Sequence, residues 1–343
     1  MFAGKVFDAF TSPLAVGDDE IIISISIGIS LAPDDGIDSQ TLLKNAGAAL
    51  SHVRKNGGDN YKFFTPDLRD TALSRMALEN ELRRALERGE FELHYQPKVD
   101  MVTGRMIGME ALLRWNHPDL GLVPPLDFIP LAEETGLIIP IGEWVLKTAC
   151  AQTKMWHDQG FDLNIAVNLS PRQFQQTDLV GTINEIVRAS GCDPGCLNLE
   201  VTESSIMNNA ESAVTTLREL RSTGIKISID DFGTGYSSLG VLKDLPIDVL
   251  KIDKTFVNDV TSKPDDAALV TAVITLAHNL RLKVVAEGVE TDEQLKFLRQ
   301  LHCDEWQGYL YSKPLAVGAF ERLLSAPPVQ AAGLSVLLSE PPV

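Results

Sequence analysis

Residues 226–239, KISIDDFGTGYSSL, join a short apolar strand to two adjacent aspartates and a glycine-containing loop. Two carboxylates about 4 Å apart repel each other by about 4 kcal/mol at an effective dielectric constant of about 20. Such a pair therefore shares a proton or binds a cation. Asp230 and Asp231 stand where the strand ends, so their partners must come from other parts of the chain.

Seven further strand candidates accompany this one, and helical stretches separate most of them. The eight candidates are FELHYQPKV (91–99), MIGMEALLRW (106–115), LNIAVNLS (163–170), LNLEVTES (197–204), KISIDDF (226–232), VLKIDK (249–254), KVVAEGV (283–289) and EWQGYL (305–310). The helical stretches are predicted at 141–158, 209–222, 266–280 and 291–301. This alternation favours an α/β fold with a (β/α)8 TIM-type barrel over an open sheet.

The barrel is predicted to occupy residues 88–325 of the 343-residue chain. Residues 67–87 are polar and helix-favouring, which predicts a connector helix or, equally well, a first helix packed on the barrel. Residues 1–66 form a small separate piece with strand-like alternation in IIISISIGIS. The tail, residues 326–343, is proline-rich at both ends and is predicted to be flexible.

The net charge of −17 disfavours binding to polymeric nucleic acid or to an anionic membrane surface, because both would repel the protein. A small anionic ligand held by local cations remains compatible with this charge. The sequence has no basic-then-apolar signal at its N-terminus and no apolar run of about 20 residues. We therefore expect a cytoplasmic chain without membrane contact of its own, with any membrane or sensor region upstream of it.

Polar side chains stand at the predicted ends of seven strands, and barrel enzymes carry their catalytic groups at the C-terminal ends of strands. A single carboxylate at such a position is more often a cap of the next helix, but a set from seven strands indicates a shared site. Converging carboxylates with one lysine need cations, and oxygen ligands suit Mg²⁺ or Mn²⁺ better than zinc. We expect Asp230 to bridge two ions and Asp231 to bind one of them. The set is Glu110, Asn168, Glu200, Glu203, Asp230, Asp231, Lys251, Glu287 and Gln307.

Eight motifs between about residues 88 and 325 resemble, in order, those of the EAL family of cyclic di-GMP phosphodiesterases. They are YQPK, MEALLRW, NLSPRQF, LEVTES, DDFGTGYSSL, LKIDKTFV, AEGVET and WQGYLYSKPL. The resemblance implies a barrel with one antiparallel strand, hydrolysis of cyclic di-GMP to linear pGpG, and a homodimer formed through the barrel. It also implies that two Mg²⁺ or Mn²⁺ ions are held by Glu110, Asn168, Glu200, Asp230, Asp231 and Glu287.

The same resemblance implies roles for the other polar residues. Lys251 matches the lysine beside the attacking water, and Gln307 matches another polar site residue. Gln96 and Arg114 match substrate-binding positions, and Glu203 matches the glutamate that holds the loop after the paired aspartates.

Two other functions remain open from the sequence: a non-catalytic cyclic di-GMP receptor module, and a barrel phosphohydrolase that acts on other diesters. Degenerate receptor modules usually lack a metal ligand or the lysine, whereas this chain retains the whole set.

Residues 1–66 resemble the C-terminal part of a GGDEF (diguanylate cyclase) domain in SIGIS, PDDG, LLKNA and KNGGDNYKFF. The Gly-Gly-Asp/Glu-Glu-Phe signature that forms the nucleotide and metal site of that family does not occur in the sequence. We therefore expect a truncated GGDEF-like fragment that is not catalytic.

Overall fold

The chain divides into two compact units, Met1–Arg83 and Arg84–Val343. The tail predicted to be flexible lies outside the described residues, except for Ala326. The computed structural model describes residues 4–6, 10, 14–16, 19–21, 24–55, 58–207, 210–233 and 239–326.

The first unit contains a short β–α–β arrangement. Strand Ile27–Ile29 pairs in parallel with strand Tyr61–Phe63, and helix Ser39–Lys55 lies between them in the chain. A parallel pair needs such a crossover connection, because the chain must return to the same end of the sheet. Strands Leu14–Val16 and Asp19–Ile21 form an antiparallel hairpin. A helix, Pro66–Ala85, follows this arrangement in the chain.

Eight strands of the second unit form a closed barrel. Strands β2 to β8 pair in parallel with their neighbours in chain order. Strand β1 is antiparallel to both β2 and β8 and closes the ring. The α/β barrel and the single antiparallel strand predicted from the sequence are therefore confirmed. In chain order the strands are β1 Phe91–Asp100, β2 Met106–His117, β3 Asn164–Leu169, β4 Leu197–Thr202, β5 Lys226–Phe232, β6 Val249–Ile252, β7 Lys283–Ala286 and β8 Glu305–Trp306.

The last two strands are shorter than predicted, so that Glu287 and Gln307 lie just beyond their ends. Gly288 follows with φ of +68°, a backbone conformation that ends the strand. Backbone hydrogen bonds nevertheless continue past the strands, from Glu287 N to Ile252 O at 3.1 Å and from Gln307 N to Ala286 O at 2.9 Å. Both side chains are therefore held at the rim.

The long helices of the second unit include all four predicted stretches. Shorter helices occur directly after β3, β4 and β6, at Pro171–Phe174, Glu203–Met207 and Lys254–Asn258, and a fourth is Leu239–Leu242. Within the part of the chain that the structure describes, no helix is long and apolar enough to cross a membrane. The long helices are Pro125–Thr135, Ile138–Asp158, Leu179–Ser190, Ala210–Ser222, Pro264–Asn279, Asp292–Gln300 and Val317–Ser325.

Strand β1 separates an aromatic core from a polar interior, because successive side chains point to opposite faces of a strand. Tyr95 is fully buried, and its ring packs edge-on against Trp156 with 5.0 Å between the ring centroids. Leu93, two residues earlier on the same face, is buried as well. Gln96 and Lys98 lie on the other face and contact residues of the barrel interior. The alternation thus delivers two polar side chains to the rim site.

A close approach of two backbone segments fixes the chain after β8. Val289 N donates to Gln307 O at 3.1 Å, and Leu310 N donates to Val289 O at 3.0 Å. Gly308 lies between these hydrogen bonds, and a Cβ added there would be 2.0 Å from Val289 O. Only glycine fits this position without a shift of the backbone.

We predict that Gly308→Ala lowers the free energy of unfolding by about 1–3 kcal/mol, because the new methyl group overlaps backbone atoms that cannot move aside. The matched control is Gly318→Ala in helix Val317–Ser325, where an added Cβ comes no closer than 4.0 Å to Arg322. The control is expected to be neutral or to stabilise by up to about 1 kcal/mol. Urea unfolding of both variants tests this, and equal stability of the two would show that Val289 and Gly308 are not packed as described.

Candidate functional site

Lys251 of β6 lies at the centre of a cluster of carboxylates and is 1% exposed. Its Nζ atom is 2.6 Å from Glu200 Oε2 and 2.6 Å from Glu287 Oε1. Asp230 Oδ1 is 3.2 Å from the same atom, and Glu110 Oε2 is 3.9 Å away. The five side chains come from or directly after β2, β4, β5, β6 and β7, so the structure brings these predicted residues together at one rim.

A second lysine, Lys98 of β1, contacts the same cluster. Lys98 Nζ lies 2.9 Å from Glu200 Oε1, and both side chains are buried. The two oxygens of Glu200 are thus paired with two different lysines, Lys98 and Lys251. Lys98 is absent from the set of site residues predicted from the sequence. The available signal was its spacing, since it lies two residues after Gln96 on the same face of β1.

Two amide side chains orient Glu110, and a third contacts one of them. Asn168 Nδ2 donates to Glu110 Oε1 at 2.6 Å, and Gln307 Nε2 donates to Glu110 Oε2 at 2.6 Å. Gln307 Nε2 also donates to Gln96 Oε1 at 3.0 Å, and Gln96 Nε2 donates to the carbonyl of Ser312 at 3.2 Å. Side chains from β1, β2 and β3 and from the segment after β8 therefore form one continuous network.

The two adjacent aspartates turn to different partners because the pairing of β5 with β6 shifts in register at this point. Asp231 has φ of +54°, in the left-handed region that Asp tolerates better than most residues. Asp230 faces Lys251 and also accepts a hydrogen bond from Asp231 N at 3.0 Å. The Asp231 carboxyl forms a hydrogen bond with Asp253 instead. The irregularity thus separates the partners of the two carboxylates, although the charge of Asp230 still acts on Asp231.

Asp253 is the second site residue that the sequence analysis missed. It caps helix Lys254–Asn258 by accepting a hydrogen bond from Thr255 N at 2.8 Å, which is a structural role. Its contact with Asp231 adds a role at the site. Its position two residues after Lys251, at the end of β6, was the signal that could have identified it.

Burial and charge move the pKa values of the cluster in opposite directions. Burial raises the pKa of Glu287 to about 8, and burial together with the charge of Asp230 raises that of Asp231 to about 6. Burial also opposes ionisation of Glu200, but the charges of Lys251 and Lys98 outweigh it and lower the pKa to about 2. Glu200 therefore favours its ionised form, whereas Glu287 and Asp231 are easier to protonate, because carboxylates outnumber lysines in the cluster.

The donor types of the cluster fit a hard divalent cation. Glu110, Glu200, Asp230 and Glu287 supply four carboxylates around one lysine, with Lys98 as a second positive charge. An excess of carboxylates in a mostly buried site favours divalent ions with oxygen ligands. Among the described residues, no three His, Cys, Asp or Glu side chains are already arranged as a metal cage. Lys251 lies between the carboxylates, so a bound cation would compete with its ammonium group for their oxygens.

Glu203 lies next to the cluster as the first residue of helix Glu203–Met207 and is buried. Its Oε2 atom accepts a hydrogen bond from Gly233 N at 3.2 Å, at the start of the loop that follows the paired aspartates. Its Oε1 atom is buried and has no partner among the residues that the structure describes. Residues 234–238 of the loop lie outside the described part of the chain.

Arg114, like Glu203, forms no hydrogen bond or ion pair with the clustered carboxylates within the part of the chain that the structure describes. Its Nη1 atom donates to the carbonyl of Leu113 at 2.8 Å, and burial lowers the pKa of its half-buried guanidinium. A cavity of about 410 Å³ adjoins the carboxylates and is lined by Gln96, Glu110, Asp230, Glu287, Gln307 and the half-exposed Tyr309, among others. The cavity gives a small ligand access to the cluster.

Comparison with known proteins identifies the family. The model of the EAL domain matches residues 79–314. The bifunctional diguanylate cyclase/cyclic di-GMP phosphodiesterase MucR of Pseudomonas aeruginosa is 47% identical over 94% of this chain. The cyclic di-GMP phosphodiesterases NbdA of P. aeruginosa and PdeR of Escherichia coli are 41% and 37% identical over 94% and 93% of it. The chain spans 47%, 41% and 48% of the lengths of these three relatives, respectively.

Solved structures show the same likeness. A structure of the PaMucR phosphodiesterase in complex with c-di-GMP has a TM-score of 0.70 and 51% identity, covering 71% of this chain and 99% of that one. The EAL enzyme Bd1971, bound to cAMP and cyclic di-GMP, has a TM-score of 0.72 and 37% identity, with coverage of 84% and 76%. The closed barrel, the rim site and these matches lead to one conclusion: the chain belongs to the EAL domain family.

Proposed function

We propose that this chain hydrolyses one phosphodiester bond of cyclic di-GMP and releases linear pGpG. The observation that carries the proposal is the arrangement of four carboxylates around Lys251 beside a cavity at the barrel rim. Relatives of the same family, MucR, NbdA and PdeR, are named as cyclic di-GMP phosphodiesterases. A solved relative that is 51% identical holds c-di-GMP itself.

The proposed cofactors are two Mg²⁺ or Mn²⁺ ions. The residues that would hold them are the oxygen-bearing side chains predicted from the sequence: Glu110, Asn168, Glu200, Asp230, Asp231 and Glu287. When bound, two such ions withdraw charge from the phosphate and lower the pKa of a water molecule. The carboxylates that now contact Lys251 would supply the ligand oxygens.

The protein's own groups orient the reactants. Lys251 has three N–H donors, and its four carboxylate neighbours now occupy them. Bound cations would take over some of the carboxylate oxygens, and we assign the donor released in this way to the attacking water. Gln96 lines the cavity and is proposed to contact the substrate. Arg114 stands on β2 with a planar guanidinium suited to a phosphate group, which is its proposed partner. Gln307 donates hydrogen bonds to Glu110 and to Gln96 and thereby fixes the positions of both side chains.

Further proposals concern the organisation of the chain. Residues 1–66 are proposed to be a non-catalytic GGDEF-like fragment, supported by the parallel strands Ile27–Ile29 and Tyr61–Phe63 with their connecting helix. Residues 67–87 are proposed as a connector and residues 88–325 as the phosphodiesterase. A homodimer formed through the barrel and a cytoplasmic location stay predictions from the sequence.

Metal exchange tests the proposed function. With Mg²⁺, the chain is expected to convert cyclic di-GMP to pGpG, and a chelator is expected to abolish turnover reversibly. Ca²⁺ is larger and prefers six to eight loosely arranged oxygens, so it should bind the carboxylates with little or no turnover. Chromatography of the products measures turnover, and calorimetry measures the binding of cyclic di-GMP. Binding without turnover in Mg²⁺ and Mn²⁺ would instead favour a receptor module.

Asp230→Asn is predicted to lower kcat by about 100-fold or more, because it removes a charged oxygen ligand from the centre of the cluster. The control is Asp162→Asn, an exposed aspartate that precedes β3 at the opposite rim of the barrel. Steady-state rates at saturating Mg²⁺ measure the effect. Retention of more than about a tenth of the wild-type rate by Asp230→Asn would contradict the two-metal proposal.

Glu203→Ala is predicted to weaken Mg²⁺ affinity and turnover while the fold stays intact, because Glu203 fixes Gly233 at the start of the loop after Asp231. Glu203→Gln keeps an oxygen acceptor for Gly233 N and should recover most of the activity. If Glu203 only stabilised the first turn of its helix, the alanine variant would lose about 1 kcal/mol of stability and keep normal kinetics. Melting temperature, Mg²⁺ dependence and kcat of one sample distinguish the two roles.

A further inference from the structure

We propose that Lys98 is a positioning residue of the rim site. It holds Glu200 by Oε1, so that Oε2 faces Lys251 and the proposed ion-binding carboxylates. The expected effect on turnover rests on the proposed phosphodiesterase function, whereas the contacts of Lys98 do not depend on it.

The contacts leave Glu200 little freedom. Lys98 Nζ is 2.9 Å from Oε1 and Lys251 Nζ is 2.6 Å from Oε2, and the Glu200 side chain is 0% exposed. Charge-assisted hydrogen bonds of this length are among the strongest that side chains form. Rotation of the carboxylate would break both of them, and a side chain without exposed surface cannot replace them by hydrogen bonds to bulk water. Lys98 therefore sets the orientation of one carboxylate that the site depends on.

Lys98 reaches Glu200 from beneath the cavity. On the antiparallel strand β1, Gln96 lies opposite Glu110, whereas Lys98 lies opposite Gly108, two residues deeper in β2. Gln96 and Glu110 line the cavity beside the site, and Lys98 is not among its lining residues. Lys98 thus acts through Glu200 and does not contact a ligand in the cavity.

A purely structural role is the alternative. Buried ion pairs are often no more stabilising than apolar side chains of similar volume, because both charges lose their hydration. A barrel that needed only a filled interior would therefore gain little from a lysine at this position. A structural role predicts that substitution changes stability alone, whereas the positioning role predicts a change in metal binding and in kcat.

Four variants separate the two roles. Lys98→Met removes the charge at similar length, Lys98→Gln keeps an N–H donor without charge, and Lys98→Arg keeps both. The matched control is Lys283→Met on β7, whose Nζ pairs with Glu305 at 3.1 Å and whose side chain is 63% exposed. The measurements on full-length, metal-stripped protein are Mn²⁺ affinity by electron paramagnetic resonance without substrate, kcat and KM for cyclic di-GMP, and melting temperature.

Lys98→Met is expected to weaken Mn²⁺ affinity and lower kcat by about 10–100-fold each, the usual effect of removing a group that orients a metal ligand. KM should change little, Lys98→Arg should recover most of both losses, and Lys283→Met should match the wild type.

The proposal is overturned if folded Lys98→Met keeps Mn²⁺ affinity and kcat within about twofold of the wild type. If Lys98→Met does not fold, Lys98→Gln decides by the same criterion. A wild type that does not cleave cyclic di-GMP, with Mn²⁺ affinity still reduced by Lys98→Met, would refute the proposed function and leave the positioning of Glu200 intact.

Discussion

The burial of like charges inside a barrel is the constraint on which the site depends. Glu110, Glu200 and Asp230 are buried with Glu287 at their edge, and isolated carboxylates in such surroundings would be strongly disfavoured. Lys251 makes the arrangement possible, because one ammonium group lies within 3.9 Å of all four. The remaining excess of negative charge suits the rim to the divalent cations that are proposed as cofactors. The same carboxylates that Lys251 stabilises in the fold are therefore the groups on which the proposed chemistry depends.

On the antiparallel strand β1, the order of residues from the rim towards the barrel interior is the reverse of the order on the seven parallel strands. A parallel strand brings its last residues to the rim, so that residues further along the chain lie in loops and helices. On β1 the direction is reversed, and Lys98 lies deeper than Gln96 although it comes later in the sequence. The same strand therefore contributes one side chain to the cavity wall and one beneath it.

Much of the fold and site could be predicted from local patterns. The eight strands and the polar residues at their ends follow from side-chain periodicity and from the rule that barrel sites form at C-terminal strand ends. Lys98 is not predicted, because a lysine in a strand of alternating side chains is typical of the protein surface. The burial of Lys98 depends on the direction of β1 in the closed barrel. The direction of Asp231 depends on a register shift between β5 and β6, which no local pattern encodes.

The hydrogen bond between Gln96 and Gln307 joins residues 211 positions apart in the chain. It connects the first barrel strand to the segment after the last one, and Gln307 also orients Glu110. A chain still emerging from the ribosome therefore lacks a complete site until nearly the whole barrel has been synthesised. Because the network spans the seam between β1 and β8, opening of that seam alone would disrupt it, even with the other strands still paired. A ligand bound at this rim would therefore stabilise the closed barrel against opening of the seam.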